Sequence, residues 1–170
     1  MPLSATAEQI YLAALSQGYA SKDDSAMVRQ YYPSRIADVS NSQSPEASES
    51  ALHLQLVFDL MRSIHLVAAA EAIAFARHLQ VDFAQFYDLV SNAAGASVLF
   101  NERAWEMYSG TGVTESPSLD DAIARLEAVA QKARDLYIPL HLGNAALNVL
   151  SLARRRGDGA ASTGVMRVFS

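Results

Sequence analysis

One long apolar stretch, over residues 52–79, constrains the fold more than any other feature of the chain. Its apolar side chains recur at helical spacing and form a stripe wider than that of an ordinary surface helix. Polar or charged residues interrupt the stretch, among them Asp59, Arg62, His65, Glu71 and Arg77. A membrane-spanning helix tolerates few such residues. We therefore predict a long buried helix over residues 50–79, about 45 Å in length. It should form the central rod of the domain and lie partly in a subunit contact.

Shorter helices are predicted along the rest of the chain, and no segment shows the alternation typical of a strand. Apolar spacing places them at 5–17, 23–31, 83–92, 97–108, 119–136 and from Pro139 to about 156, with a last turn at 162–169. Residues that commonly cap helices stand near the starts of four of these helices. Thr6 with Gln9 could form a capping box, and the other caps are Asp23 or Asp24, Asp82 and Ser97. The predicted fold class is all-α, a helical bundle around one long central helix.

Composition and charge narrow the classes of partner. Apolar residues make up 51% of the chain and charged residues 18%. The charged fraction is below the roughly 25% usual for soluble domains, so we expect some apolar surface to meet a partner. The net charge of −5 argues against nucleic acid and against a membrane surface. The chain has no cysteine, which excludes disulfides and thiolate metal sites. Its first residues lack the pattern of a signal peptide, so we predict a soluble cytoplasmic protein.

Two segments of the chain have similar sequences. Residues 2–32 and 139–169 each read Pro-Leu, an apolar helix, a glycine-containing break, a polar turn and a short apolar end. We predict that residues 1–32 are a helical tail resembling the end of a preceding copy of the same domain. A Ser/Pro-rich linker at 33–49 would join this tail to the main domain, residues 50–170. The alternative is a chance match, because Pro-Leu before an apolar helix is common.

Several short motifs occur in an order and at a spacing that resemble one known family. They are HLVAAAEA at 65–72, NAAGAS at 92–97, NERA at 101–104, AR at 133–134 and IPL at 138–140. Together they resemble the helical C-terminal domain of the β-hydroxyacid dehydrogenases. That group includes the 3-hydroxyisobutyrate and L-threonate dehydrogenases and is similar to 6-phosphogluconate dehydrogenase. The resemblance covers about two thirds of the chain and implies long helices buried between subunits.

The resemblance implies NAD(P) as the cofactor of the family, bound by a separate N-terminal Rossmann domain through a glycine-rich turn. The chain contains no G-x-G-x-x-G motif. The segment Gly110-Thr111-Gly112 lies between predicted helices with no strand before it, and we interpret it as a loop rather than a phosphate cradle. We therefore expect no cofactor to be bound by this chain alone.

The resemblance also indicates where the catalytic groups of the family would lie. A Lys that serves as general acid/base falls at Gln55, an Asn that orients the substrate falls at Phe58, and a second Lys near the nicotinamide falls at Ala124. Gln does not exchange a proton near neutral pH, and Phe holds no hydroxyl or carboxylate. The catalytic positions are degenerate, while the packing residues between them are kept. His53, two residues from Gln55 on another helical face, is a weak candidate for a replacement base.

Other polar residues favour structural roles. Neither His53 and His65 nor His65 and His78 stand three or four residues apart, the usual spacing of metal-binding histidines on a helix. We interpret Asp59 and Arg62 as an ion pair within the long helix. The basic run 154–156 suits a helix C-terminus. Trp105 and Tyr108 lie one turn apart and should close a small core.

Three hypotheses for function follow. The first is a non-catalytic helical domain, serving as a dimerisation unit or lid in a β-hydroxyacid dehydrogenase-like protein. Its partner would be a second copy or a dehydrogenase domain of the same protein. The second is a part of an active NAD(P)-dependent hydroxyacid dehydrogenase whose Rossmann domain lies outside this chain. The third is a small-ligand binding bundle with a cleft at these residues: Gln55, Phe58, Asp59, Gly95 and Ser97.

Overall fold

A computed structural model describes residues 1–31, 47–111, 117–157 and 161–169. These residues form helices and turns and contain no strand, which confirms the predicted all-α class. The six α-helices are α1 (Pro2–Ser16), α2 (Ala47–His78), α3 (Phe83–Ser91), α4 (Val98–Ser109), α5 (Leu119–Asp135) and α6 (His141–Arg155). Two 3₁₀ helices, Asp24–Gln30 and Ser162–Val168, follow α1 and α6.

Helix α2 is the centre of the bundle, as its apolar pattern predicts. Helices α4, α5 and α6 and the second 3₁₀ helix pack around it. Its second half is buried at Val67, Ala70 and Ile73, which contribute to the core together with Leu126 and Leu150. The first half is different, because large apolar side chains there are exposed. Among the described residues, no helix has the length and apolar character needed to cross a membrane.

Side-chain caps fix the starts of several helices where the sequence predicts them. The carboxylate of Asp82 accepts a hydrogen bond from the Gln85 N–H at the start of α3, and the Ser97 hydroxyl accepts one from the Phe100 N–H at the start of α4. Asp23 caps the first 3₁₀ helix in the same way. These caps satisfy N–H groups that have no partner inside the helix.

The predicted capping box of Thr6 and Gln9 is wrong. Helix α1 begins at Pro2, three residues before the predicted start at residue 5, and the Thr6 hydroxyl donates to the Pro2 carbonyl within the helix instead. Pro is favoured in the first helical turn because its missing N–H would have no partner there. The first N–H groups of α1 bind a carboxylate from α2, which sequence spacing does not reveal.

The tail segment, residues 1–31, packs on the rest of the described chain, residues 47–169, which we call the body. Helix α1 lies mainly against α6 and also contacts α2. At the end of the tail segment, the ring of Tyr31 lies 5.8 Å from the ring of His141 at the start of α6. Burial raises the pKa of the Tyr31 phenol. Residues 33–46 of the predicted linker lie outside the described residues.

Trp105 and Tyr108, predicted to close a small core, join an aromatic cluster around the buried Phe83, although both remain exposed, by 48% and 38%. The ring of Phe83 stacks on that of Tyr108 at 3.9 Å and meets Trp105 edge-on at 4.7 Å. The guanidinium of Arg77 lies over the Tyr108 ring, 5.6 Å from its centre. This cluster joins α3 and α4 to the end of α2.

Candidate functional site

A cavity of about 420 Å³ lies between the first half of α2 and the start of α4. Its lining residues are Phe58, Met61, Arg62, His65, Ala96, Ser97, Val98, Leu99 and Glu102. The structure thus brings together Phe58 and Ser97 of the predicted cleft. Gly95 precedes this lining, with open space around the position a Cβ would take. The Ser97 hydroxyl is committed to capping α4.

Gln55 and Asp59 are not among the residues that line this cavity. The side-chain amide of Gln55 donates to the Asp59 carboxylate at 3.0 Å, one turn along α2. Asp59 is buried and lines a much smaller cavity of about 20 Å³. Of the predicted cleft residues, Phe58 and Ser97 therefore line the larger cavity, Asp59 lines the smaller one, and Gln55 and Gly95 line neither.

The predicted ion pair of Asp59 with Arg62 is wrong. The carboxylate of Asp59 lies 3.6 Å from the guanidinium of Arg125, which comes from α5. A buried carboxylate needs a nearby cation or hydrogen-bond donors to offset its desolvation. Asp59 obtains both, from Arg125 and from Gln55, so it joins α2 to α5. No signal in the sequence pairs positions 59 and 125.

The three family positions carry no acid/base group. Gln55 is engaged with Asp59, Phe58 is 57% exposed, and Ala124 lies on the exposed side of α5. Phe58 presents an apolar ring to the larger cavity. The side chains at these three positions offer no proton at neutral pH.

A second concave surface, of about 220 Å³, lies on the other side of α2, between α5 and the start of α6. Its lining is largely apolar: His53, Leu56, Val57, Leu60, Val129, Lys132, Ala133, Leu136, Ile138 and Leu140. Sequence reasoning identified His53 and did not foresee this groove. Leu56 and Leu60 stand at helical spacing and are interpreted as core from the sequence, because helical spacing does not tell a covered face from a partly open one.

Glu71 is the buried carboxylate that the sequence analysis passed over. It is 2% exposed and accepts hydrogen bonds from the N–H groups of Leu3 and Ser4, at 2.7 and 3.0 Å. The Ser4 hydroxyl donates to it as well, at 2.6 Å. All three bonds go to the start of α1, so Glu71 has a structural task and is not free for catalysis.

The described residues include no pyrophosphate-binding turn at Gly110 and no cluster of potential metal ligands. Gly110 ends α4 in the left-handed conformation, with φ of 74°, which is the usual role of a glycine at a helix C-terminus. It follows a helix and not a strand, so it does not form the turn that holds a pyrophosphate. Within the described ranges, no group of three potential metal ligands comes together.

Comparison with known proteins agrees with this architecture. Residues 50–169 match the family model described as NAD-binding of NADP-dependent 3-hydroxyisobutyrate dehydrogenase. The chain belongs to this family. It is 32% identical to the L-threonate dehydrogenase of Escherichia coli (strain K12) over 118 residues. The L-threonate dehydrogenase of Haemophilus influenzae is 31% identical over the same length.

Solved structures place the fold in the same family. A 3-hydroxyisobutyrate dehydrogenase from Salmonella typhimurium matches with a TM-score of 0.66 and 31% identity, over 75% of this chain and 44% of that chain. Psf3 in complex with NADP+ and 2-OPP matches with a TM-score of 0.62 at 21% identity, over 75% of this chain and 44% of that one, which supports the fold alone. The matched region is 69% of this chain but 39% of the Escherichia coli and Haemophilus influenzae relatives. The chain thus spans well under half the length of these dehydrogenases.

Proposed function

We propose that this chain is the non-catalytic helical domain of a β-hydroxyacid dehydrogenase-like protein, and that it serves as a lid over a nucleotide-binding domain. One observation carries the proposal. Gln55 and Phe58 stand where the family resemblance places the acid/base Lys and the substrate-orienting Asn. Neither side chain can do that chemistry near neutral pH. The helical scaffold around them is nevertheless that of the family.

The surface around these positions supports the role of a lid. Leu54 is 68% exposed, and Phe58 and Met61 beside it are more than half exposed. These three side chains lie at spacings of four and three, so they form one uncharged stripe on the outer side of α2. We call this stripe the lid face. A contiguous apolar surface of this kind commonly meets a partner. Because Phe58, where the resemblance places the substrate-orienting Asn, lies on it, the partner that fits is the nicotinamide-binding domain.

A second candidate is supported by the length of the relatives. They are named L-threonate dehydrogenases, and this chain spans 39% of them. In this candidate the parent protein is an active NAD(P)-dependent hydroxyacid dehydrogenase. The nucleotide-binding domain and the acid/base groups then come from outside this chain, and this body completes the cleft.

A domain exchange tests the proposal. Residues 50–169 would replace the matching region of the Escherichia coli L-threonate dehydrogenase, and the chimera would be assayed for cofactor binding and L-threonate oxidation. We expect a folded chimera that binds the cofactor without turnover. Restoring the family's groups with Gln55→Lys, Phe58→Asn and Ala124→Lys should raise turnover by orders of magnitude, since general acid/base catalysis contributes about 10²–10⁴-fold. Turnover by the unaltered chimera would show that the body is catalytic.

Two controls complete this experiment. In the chimera, Leu54→Asp with Met61→Asp should weaken the closed state and raise the Kd for the cofactor. Leu89→Asp adds a charge at an equally exposed apolar residue of α3 and should change nothing. With the full chain alone, calorimetric titration with NADH and NADPH should give no heat of binding. Micromolar binding by the chain alone would contradict the proposal.

A further inference from the structure

The small cavity beside Asp59 has more positive than negative charge in its lining. It has a volume of about 20 Å³ and is lined by residues of α2, α4, α5 and the second 3₁₀ helix. Its lining residues are Asp59, Arg62, Ser63, Leu66, Leu99, Arg103, Pro117, Ala122, Arg125 and Ser162. The lining thus contains three arginines and one carboxylate. Because a guanidinium stays protonated in proteins, the cavity favours a negatively charged occupant.

The charge of Arg62 is not balanced within the described part of the chain. The Asp59 carboxylate lies 3.6 Å from the Arg125 guanidinium, so these two charges offset each other. Glu102 lines the larger cavity together with Arg62. No ion pair joins Arg62 to Glu102 or to any other described carboxylate. Arg62 is only partly exposed, and a charge that is partly removed from water gains from a counter-charge nearby.

Arg103 brings an unpaired hydrogen-bond donor to the same cavity. One of its terminal nitrogens donates to both carboxylate oxygens of Glu106, at 3.0 and 3.2 Å. Its Nε–H is buried and has no hydrogen-bond partner among the described residues. Buried donors in native folds almost always have an acceptor. An anion in contact with this N–H would supply the missing acceptor and would also offset the charge of Arg62.

The internal repeat indicates which negative charge is missing from the body. The two 3₁₀ helices occupy corresponding places in the two copies of the repeat, and each has seven residues. In the register that pairs Tyr31 with Phe169, the first residues of these helices, Asp24 and Ser162, correspond. Ser162 is neutral and lines the cavity. The body therefore lacks the carboxylate that the first copy has at this position.

We propose that the cavity is a binding site for one small monovalent anion, chloride, which Arg62 and Arg103 hold at the place where the repeat predicts a carboxylate. Size selects this anion. One water molecule needs about 10–15 Å³, so a cavity of about 20 Å³ takes a chloride ion, which is only slightly larger than water, and excludes phosphate, sulfate and organic acids. A water molecule would accept a hydrogen bond but would not offset the charge. The lid face contributes no residue to this lining, so the proposal does not depend on the lid.

Thermal unfolding of the full chain in two salts tests the proposal. Circular dichroism would follow unfolding in sodium chloride and in sodium gluconate of equal ionic strength, because gluconate is too large for the cavity. A ligand that binds only the folded state raises the Tm. At a chloride concentration tenfold above its Kd, the Tm should be about 3–6 °C higher than in gluconate. Broadening of the chloride NMR signal by the folded chain would report the binding directly.

Ser162→Asp supplies the missing carboxylate from the chain itself. It should raise the Tm in gluconate and abolish the chloride-dependent shift, because the cavity then contains its own negative charge. The matched control is Asn144→Asp, which adds the same charge at an exposed position of α6 and should keep the shift of the unaltered chain. This control separates an effect at the cavity from an effect of net charge.

A second variant keeps the proposal testable if Ser162→Asp does not fold, since position 162 is buried. Arg62→Met removes the unbalanced charge at a partly exposed position. It should retain native helical circular dichroism and lose the chloride-dependent shift. Arg155→Met removes the same charge at the exposed end of α6 and should retain the shift.

Two results would overturn the proposal. One is an equal Tm in chloride and in gluconate with no broadening of the chloride signal, because water alone would then fill the cavity. The other is a chloride-dependent shift that Arg62→Met, or a folded Ser162→Asp chain, leaves unchanged, because chloride would then bind elsewhere on the protein.

Discussion

At the scale of single residues, Glu71 links the tail segment to the body through hydrogen bonds to the start of α1. Its carboxylate is almost fully buried and accepts hydrogen bonds from two backbone N–H groups and one hydroxyl. It also lies at the N-terminus of α1, where the helix dipole favours negative charge. The sequence shows Glu71 only as a charge within an apolar stripe. Its partners stand 67 and 68 positions earlier, too far for any local pattern to pair them.

Glu71→Gln should therefore destabilise the chain by about 1.5–3 kcal/mol. The Gln side chain keeps the shape of Glu71 but has only one acceptor oxygen. Its NH₂ group would face a backbone N–H, and two donors cannot form a hydrogen bond with each other. Chemical denaturation followed by circular dichroism measures the change, and amide exchange at Leu3 and Ser4 should accelerate. Glu127→Gln alters an exposed residue of α5 and serves as the control, with an expected change close to zero. Equal stability of the two variants would mean that Glu71 does not anchor α1.

At the candidate site, the sequence predicts which helix carries a residue but not which residue of another helix contacts it. The family resemblance locates Gln55 and Phe58 on the first half of α2, and the structure places them there. The helical pitch predicts an ion pair between Asp59 and Arg62, three residues later. In the structure the cation beside Asp59 is Arg125 of α5 instead. Contacts between helices depend on the angle and position at which the helices cross. The spacing of residues within one helix does not reveal that geometry. Whether these residues act on a ligand stays a prediction.

At the scale of elements, helix starts were predictable where the capping residue is local. Asp82 and Ser97 cap within three residues, and their helices begin where predicted. The start of α5 has a complete capping box that the sequence analysis did not use. The Ser118 hydroxyl accepts from the Asp121 N–H, and the Asp121 carboxylate accepts from the Ser118 N–H. Helix α1 was misplaced because its cap is remote.

The capping box of α5 gives a pH-dependent prediction. Hydrogen bonds from Ser118 hold the pKa of the Asp121 carboxyl below its usual range. Because the pKa is lowered, the box contributes its full stability to α5 above the usual aspartate pKa. That contribution is lost as the pH falls from the usual value through the lowered one. Ser118→Ala should bring the Asp121 pKa, measured by NMR, back toward normal. The pKa of Asp135, at the other end of α5, should be the same in both chains and serves as the control. An Asp121 pKa that Ser118→Ala leaves unchanged would contradict the role of the capping box.

At the scale of the whole molecule, the fold was predictable because one long apolar helix requires cover on several sides. The surrounding helices α4, α5 and α6 each carry an apolar face, and together they supply that cover. What the sequence did not determine is which faces remain open. The lid face of α2 has the same helical spacing as the buried second half, and exposure there depends on where the shorter helices end. The sequence also did not determine whether the tail segment packs on its own body, since both copies of the repeat have apolar faces.

A close approach between α6 and α2 at Gly143 gives the last prediction. A Cβ added at Gly143 would lie 2.6 Å from Leu140 Cγ and 2.9 Å from Leu60 Cδ1, closer than real contacts allow. Gly143→Ala would gain up to about 1 kcal/mol of helix propensity, but two leucine side chains must move in a close-packed contact, which typically costs about 1–3 kcal/mol. We expect a net loss of about 1 kcal/mol in thermal or urea unfolding. Asn144→Ala, at an exposed neighbouring position, should be neutral or slightly stabilising. A Gly143→Ala chain as stable as Asn144→Ala would mean that α6 can shift along α2 without loss, and the crossing would then not depend on this glycine.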